Sequence, residues 1–141
     1  MIRANANLDW RGSFTSTEVN RLHAAAFNAR LWSDDEWDWV AQVEGHSFGW
    51  VTARLDDELV GFCNVLTDGV AHTWLQDVIV DPARQRGGLG KAMIDLAIER
   101  AREAGCEWMH VDFDDDVADF YYRVCGFMKT NGGLFYLPVE E

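Results

Sequence analysis

Between Asp81 and Lys91 the chain reads Asp81-Pro82-Ala83-Arg84-Gln85-Arg86-Gly87-Gly88-Leu89-Gly90-Lys91, a glycine-rich turn between a β-like run and a helix-like one. A helix start exposes unpaired N–H groups at the positive end of the macrodipole, and residues without a Cβ let an anionic oxygen approach them closely. Arg84, Arg86 and Lys91 also place three of the twelve basic side chains within eight positions. A diphosphate is the ligand such a turn suits. Two familiar phosphate loops fail on the letters. The Walker loop needs glycine where Gln85 stands and Ser or Thr where Ala92 stands, and the dinucleotide fingerprint needs glycine at Met93. A glycine-rich turn with solvating arginines is the plain alternative.

The other chemistry-bearing residues are Asp77 in the preceding β-like run, His110 in a later one, and the adjacent phenols Tyr121 and Tyr122. Metal readings of this region fail. His110-Val111-Asp112 lacks the further histidine of a facial triad, and Asp112, Asp114 and Asp116 lead to Val117 and Arg123 where a calcium loop needs glycine and glutamate. Cys63, Cys106 and Cys125 are an odd set without a paired spacing, which suits reduced thiols in a cytoplasmic protein.

These groups must be positioned by elements legible in the pattern. Ile2, Ala4, Ala6 and Leu8 alternate with polar residues, as in a half-buried strand. Thr15 and Glu18 form a capping-box spacing ahead of Val19, Leu22 and Ala26, which recur on one helical face. Ser33 and Glu36 repeat that signal, predicting a second helix that carries Trp37 and Val40 and ends near Gly45. Phe48 to Arg54, Leu59 to Leu66 and Ala71 to Val80 read as a three-stranded meander. A long helix from Leu89 to Gly105 and a strand from Glu107 to Phe113 complete a right-handed crossover, predicting parallel neighbours. A helix over Asp116 to Val124 and a hairpin of Phe127 to Thr130 with Leu134 to Leu137 follow.

At 141 residues, 48% apolar, with no long apolar run, the chain is expected to be one folded domain, residues 1–141, with no membrane span and no export signal. Its formal charge of −12 disfavours nucleic acid and favours a cationic partner. Trp32, Trp37 and Trp39 beside Asp34, Asp35, Glu36 and Asp38 could provide aromatic faces and carboxylates for an amine cation.

Gln85-x-x-Gly88-x-Gly90 resembles the acyl-CoA loop of the GCN5-related N-acetyltransferase (GNAT) superfamily. Trp74 to Pro82 resembles that family's fourth strand, and Ala118-Asp119-Phe120-Tyr121-Tyr122-Arg123-Val124-Cys125-Gly126-Phe127 its tyrosine segment. The element order β-α-α-β-β-β-α-β-α-β-β is also similar, giving a mixed-sheet α/β fold. The resemblance implies an acetyl-CoA-dependent N-acetyltransferase that needs no metal. Backbone groups of Val78, Ile79 and Val80 would meet pantetheine. Gln85 and the run Arg86, Gly87, Gly88, Leu89, Gly90 and Lys91 would hold the pyrophosphate. Asp115 stands where the family has a coenzyme-binding asparagine, retaining an acceptor but lacking the amide donor. The acceptor would be a small-molecule or peptide amine, and homodimers are the commonest assembly.

Acetyl transfer requires a neutral amine, yet an alkyl ammonium of pKa about 10.4 is only about one part in 2,500 neutral at pH 7. By the resemblance, Tyr122 would protonate the departing sulfur and the Val78 N–H would face the oxyanion. Gln76 replaces the glutamate some relatives use as base and cannot accept a proton. His110 stands twelve residues before Tyr122, where other relatives place a glutamate, and an imidazole suits the task. Asp77 is the reserve base, water a third route. Against these stand a packed tyrosine, a hydrogen-bonded strand histidine and a buried structural carboxylate. His72, earlier on the same β run as Asp77, reads as an ordinary strand residue. A non-catalytic acyl-CoA sensor and an interaction domain of the same fold are the competing functions.

Overall fold

The computed structural model describes residues 5–139. The chain forms two compact units, residues 1–111 and 112–141. In the first, β1 (Asn7–Trp10), α1 (Ser16–Phe27), α2 (Trp39–His46), β2 (Gly49–Leu55), β3 (Glu58–Thr67), β4 (His72–Val80), α3 (Leu89–Glu103) and β5 (Trp108–His110) follow in that order. The five strands make one sheet in sequence order, antiparallel throughout except for the parallel pair β4–β5. This is the expected mixed α/β class, with the crossover through α3 that parallel neighbours require.

Consecutive strand residues point to opposite faces, so Gly61 and Phe62 report both sides of the sheet. Phe62 joins Val19 and Leu22 of α1, Trp39 and Val43 of α2, and Ile79 in one buried cluster. Gly61 instead meets Met93 of α3, so helices cover both faces.

The Thr15–Glu18 capping box forms: Thr15 Oγ1 accepts from the Glu18 N–H at 3.1 Å, and Glu18 Oε1 from the Thr15 N–H at 3.0 Å. The second box forms too, with Glu36 Oε1 accepting from the Ser33 N–H at 3.2 Å, yet it closes a single turn and no helix grows from it. The helix starts instead at Trp39, capped by Asp38, whose Oδ1 accepts from the Ala41 N–H at 3.0 Å. Aromatic packing decides this. Trp37 and Trp39 stack with centroids 4.1 Å apart, and residues two apart on a helix point to nearly opposite sides. Stacking them requires a break between.

Three strand expectations need correction. Ile2, Arg3 and Ala4 lie outside the described residues, and the first strand begins at Asn7. The Glu107–Phe113 strand is only Trp108–His110, because its pairing ends three residues short of a bulge in β4, and bulges increase local twist. The final hairpin, and with it the last two strands of the predicted order, is absent among the described residues. Leu134, Phe135, Tyr136 and Leu137 are all 80% exposed or more. Two short strands alone are marginal in water without a third strand or a helix to cover one face.

In the second unit a 3₁₀ turn at Asp115–Val117 leads into a π-helical stretch, Phe120–Val124, in place of the regular helix expected over Asp116 to Val124. Gly126, at φ +82°, ends it. Tyr121 is buried and stacks on Phe113 at 4.6 Å, with Phe120 and Phe127 edge-on to it.

Candidate active site

The sheet is irregular where the chemistry was expected. Asn64 pairs with Gln76 and Phe62 with Ile79, so Asp77 and Val78 together oppose Cys63. That extra residue is a β-bulge, and Asp77 within it has a left-handed φ of +51°. On the other edge of β4 the register runs from His72↔Trp108 to Trp74↔His110 and stops, while β4 continues to Val80. His110 therefore sits where the two strands part, with Asp77, Val78, Ile79 and Val80 just beyond on β4.

Past Val80 the chain turns through Pro82–Arg84, where Asp81 Oδ1 accepts from the Ala83 N–H at 3.0 Å. Gln85 folds back and donates its amide to the Val80 carbonyl at 3.2 Å, tying the loop to the end of β4. Arg86 and Gly88 both have positive φ, +67° and +87°, and Gly88 caps α3 without any side-chain hydrogen bond to the first turn. The α3 N-terminus thus keeps its donors for another acceptor. Gln85, Arg86, Gly87 and Gly88 are exposed; Leu89, Gly90 and Lys91 are half-buried, and Lys91 Nζ bonds Asp95 at 2.6 Å. The cradle fits a diphosphate by its donor set and its lack of side-chain bulk at Gly87, Gly88 and Gly90.

His110 is exposed, but its Nε2 lies 2.7 Å from Nδ1 of His72. Trp74 stacks on His110 with centroids 5.0 Å apart and planes 16° apart. His72 is thus part of the His110 environment. Sequence reasoning passed over it because the register of a parallel pair, which alone brings positions 72 and 110 together, leaves no local signal in the sequence.

Asp77 turns toward the α1 side. Burial pushes its carboxyl above the ordinary range, opposed by the Asn64 amide, which donates to it, and by the charge of His23. Asn64 is held in turn by Ser47, whose hydroxyl donates to Asn64 Oδ1 at 2.5 Å. The His23 ring lies among Phe27, Trp37 and Trp39, and its Nδ1 is buried without a hydrogen-bond partner among the described residues. Neither Asn64 nor His23 was singled out by sequence; both reach Asp77 only through the fold. Cys63, behind the bulge, has its thiol pushed up to about 12 by burial and offers no thiolate nucleophile near neutral pH.

In the second unit Tyr122 is 36% exposed and edge-on to Phe113 at 5.2 Å, whereas its neighbour Tyr121 is interior. Asp115 is exposed at the start of the 3₁₀ turn. The expected aromatic amine site does not form as imagined: Trp39 is fully buried, Trp37 stacks on it, and the Arg30 guanidinium already lies over Trp32 at 4.2 Å. A depression of about 440 Å³ nearby is lined by Thr17, Asn20, Trp32 and Asp34 among others. Within it Asp34 is committed to Thr17 and Asn20. Among the described residues no helix is long and apolar enough to cross a membrane.

Comparison with known proteins puts this geometry in a family. The acetyltransferase (GNAT) family model matches residues 9–127. Mycothiol acetyltransferase of Nocardiopsis dassonvillei is 36% identical over 78 residues, which span 54% of this chain and 24% of that protein. Aminoglycoside N(6')-acetyltransferase type 1 of Stenotrophomonas maltophilia is 29% identical over 112 residues, 72% of either chain. The chain spans half or less of the length of the first curated relatives it matches. An aminoglycoside N-acetyltransferase solved in complex with CoA superposes with a TM-score of 0.70 at 18% identity, covering 98% of this chain and 99% of that one.

Proposed function

The chain belongs to the acetyltransferase (GNAT) family, and from that premise we propose that it transfers an acetyl group from acetyl-CoA directly to a primary amine. The observation that carries this reading is the α3 start: a glycine-capped helix N-terminus, free of side-chain caps, tied by Gln85 to the end of a β4 edge that has lost its β5 partner. A diphosphate-tailed thioester whose arm lies along β4 matches both features at once.

In this reading the main-chain donors from Arg86 to Lys91 hold the diphosphate, and the Val78, Ile79 and Val80 backbone aligns the thioester arm. The arm brings an activated acetyl group; the chain's own residues supply the proton chemistry. His110, at the parting of the strands, takes a proton from the acceptor ammonium. The Val78 N–H stabilises negative charge on the carbonyl oxygen, and Tyr122 O–H protonates the departing sulfur. Asp77, with its carboxyl raised by burial, lines the acceptor side. Asp115 keeps the place of a coenzyme contact through an acceptor oxygen alone. Residues 1–141 act as one catalytic domain in a reducing, cytoplasmic setting, consistent with the unbridged thiols of Cys63 and Cys106.

The acceptor is a small-molecule or peptide amine carrying positive charge. The −12 formal charge of the chain supports this, as does the aminoglycoside acetyltransferase among its relatives. Calorimetric titration with acetyl-CoA tests the coenzyme half. Binding should be saturable and should weaken in Gly88→Val, whose φ of +87° no β-branched residue adopts readily. A screen of aminoglycosides, polyamines and peptides for an acetylated product tests the other half. Binding without product on any acceptor would leave a coenzyme sensor, and no binding would remove the reading.

A further inference from the structure

Four aromatic side chains share one stretch of the β4–β5 surface. His72 and Trp74 lie on β4, with Trp108 and His110 opposite them in register. Trp74 is 38% exposed and Trp108 53% exposed, although indoles are ordinarily kept inside. Within the group the three rings of His72, Trp74 and His110 lie within about 32° of parallel, with centroids 5.0 to 6.1 Å apart. The two imidazoles are also joined edge to edge, His72 Nδ1 to His110 Nε2 at 2.7 Å. Two aromatic nitrogens reach that separation only with a hydrogen between them, so one ring donates and the other accepts.

We propose that His72 is a positioning residue for proton removal by His110, a role resting on the acetyltransferase reading above. His72 Nδ1 accepts from His110 Nε2–H, and this fixes the tautomer of His110. The lone pair of His110 then sits on Nδ1, the one ring nitrogen left for the acceptor amine. When Nδ1 takes the ammonium proton, the N–H bond of the substrate breaks and an N–H bond forms on His110, whose ring becomes an imidazolium. The electron pair stays on the amine, ready for the acetyl carbon. The Nε2–H···Nδ1 contact becomes a charge-assisted hydrogen bond, and the face of Trp74 lies against the new cation. The proton then leaves Nδ1 for water at this exposed edge, which restores the starting tautomer.

The surroundings favour this assignment. His72 is anchored through its backbone, its N–H donating to Asp68 Oδ1 at 3.1 Å and its carbonyl accepting from the Asp68 N–H at 3.0 Å and from Thr67 Oγ1. Thr73 Oγ1 donates to the Trp108 carbonyl at 3.0 Å and locks the register that sets the two rings opposite each other. The Asp68 carboxylate accepts from the N–H groups of Val70, Ala71 and His72, and these hydrogen bonds hold it below the ordinary carboxylate range and fix the turn that leads into His72. Asp77, farther along β4, is engaged on the α1 side with Asn64.

The test has an arm independent of turnover. In ¹⁵N-labelled protein without ligand, nuclear magnetic resonance should show ¹⁵N–¹⁵N coupling across the hydrogen bond between His72 Nδ1 and His110 Nε2, with the His110 proton on Nε2. Absence of coupling, or a proton on His110 Nδ1 instead, overturns the proposal while leaving the acetyltransferase reading intact. In turnover, His72→Phe keeps an aromatic ring on Trp74 but removes the acceptor. It should lower kcat by about tenfold, with acceptor KM and acetyl-CoA affinity unchanged. His72→Asn, whose Oδ1 stands in for Nδ1, should recover most of that loss. Wild-type rates in His72→Phe, or equal losses in the two variants, would overturn the positioning role alone. A wild-type protein that acetylates no amine would remove both readings together.

Discussion

Gly61 on β3 lies so close to Met93 on α3 that a Cβ placed on it would come within 2.7 Å of the Met93 sulfur and 3.2 Å of the Ala53 Cβ. Met93 is fully buried. This contact sets how near α3 lies to the sheet, and so where its N-terminus stands beside the end of β4. Gly61→Val should cost about 1–3 kcal/mol of stability through overpacking and should weaken acetyl-CoA binding by displacing the helix start. Urea denaturation and calorimetric titration read the two effects separately. A destabilised variant with unaltered coenzyme affinity would show that the cradle does not depend on this contact.

Glu18 and Arg54 form a bidentate pair, at 2.7 and 2.9 Å, that ties α1 to β2, and Glu18 also closes the capping box on Thr15. The Arg54 hydrogen bond holds the Glu18 carboxyl below its ordinary range against the opposing effect of partial burial, with further help from Thr15. A carboxyl lowered by folding adds stability above its unfolded pKa, near 4.5, and loses that contribution as pH falls through the lower folded value. Glu18→Gln should therefore reduce stability by about 1 kcal/mol at neutral pH. The gap between it and wild type should close toward pH 3, as a pH series of thermal melts will show.

The elements most legible in the sequence were those with a local cause. Apolar runs bounded by turn residues marked β2, β3 and β4, Thr15 with Glu18 marked α1, and Gly88 with Gly105 bracketed α3, because turn chemistry and hydrophobic pattern act over a few residues. The misplaced elements were decided at longer range. The start of α2 was moved by the stacking of Trp37 on Trp39, and β5 was cut short by the divergence that follows from the bulge at Asp77. In the site, the glycine loop could be read from its letters, whereas the partners of Asp77 and His110 could not. Asn64, His23 and His72 arrive through tertiary register alone.

Tyr122 and Tyr121 differ in burial, and the proposed reaction uses only the first. Tyr121 is 7% exposed and ringed by Phe113, Phe120 and Phe127, whereas Tyr122 is 36% exposed. Tyr122→Phe should leave the melting temperature and acetyl-CoA affinity within error and lower kcat about a hundredfold or more, the loss expected of a missing general acid. Tyr121→Ala should behave oppositely, unfolding early by about 3–5 kcal/mol. Unchanged turnover in Tyr122→Phe would take that phenol out of the reaction.

Asp77 carries the sharpest conflict between stability and chemistry. Its carboxyl is half-buried, in a left-handed backbone conformation, and burial pushes its proton affinity up despite the Asn64 amide and the charge of His23. The sign of the linkage follows. An acid whose pKa rises on folding ionises first in the unfolded chain, so raising the pH from its unfolded to its folded value erodes stability, and the loss persists above that window. Replacing the carboxyl with a neutral amide removes this loss, so Asp77→Asn should melt higher than wild type at neutral pH and no higher below pH 3, where both forms are uncharged. The same change should raise KM for a cationic acceptor if the carboxylate lines the acceptor side. A stabilised variant with unaltered acceptor kinetics would make Asp77 a structural residue of the bulge. A destabilised one would mean that the Asn64 contact outweighs desolvation, and the direction of the pKa shift would then be the reverse of that inferred from burial.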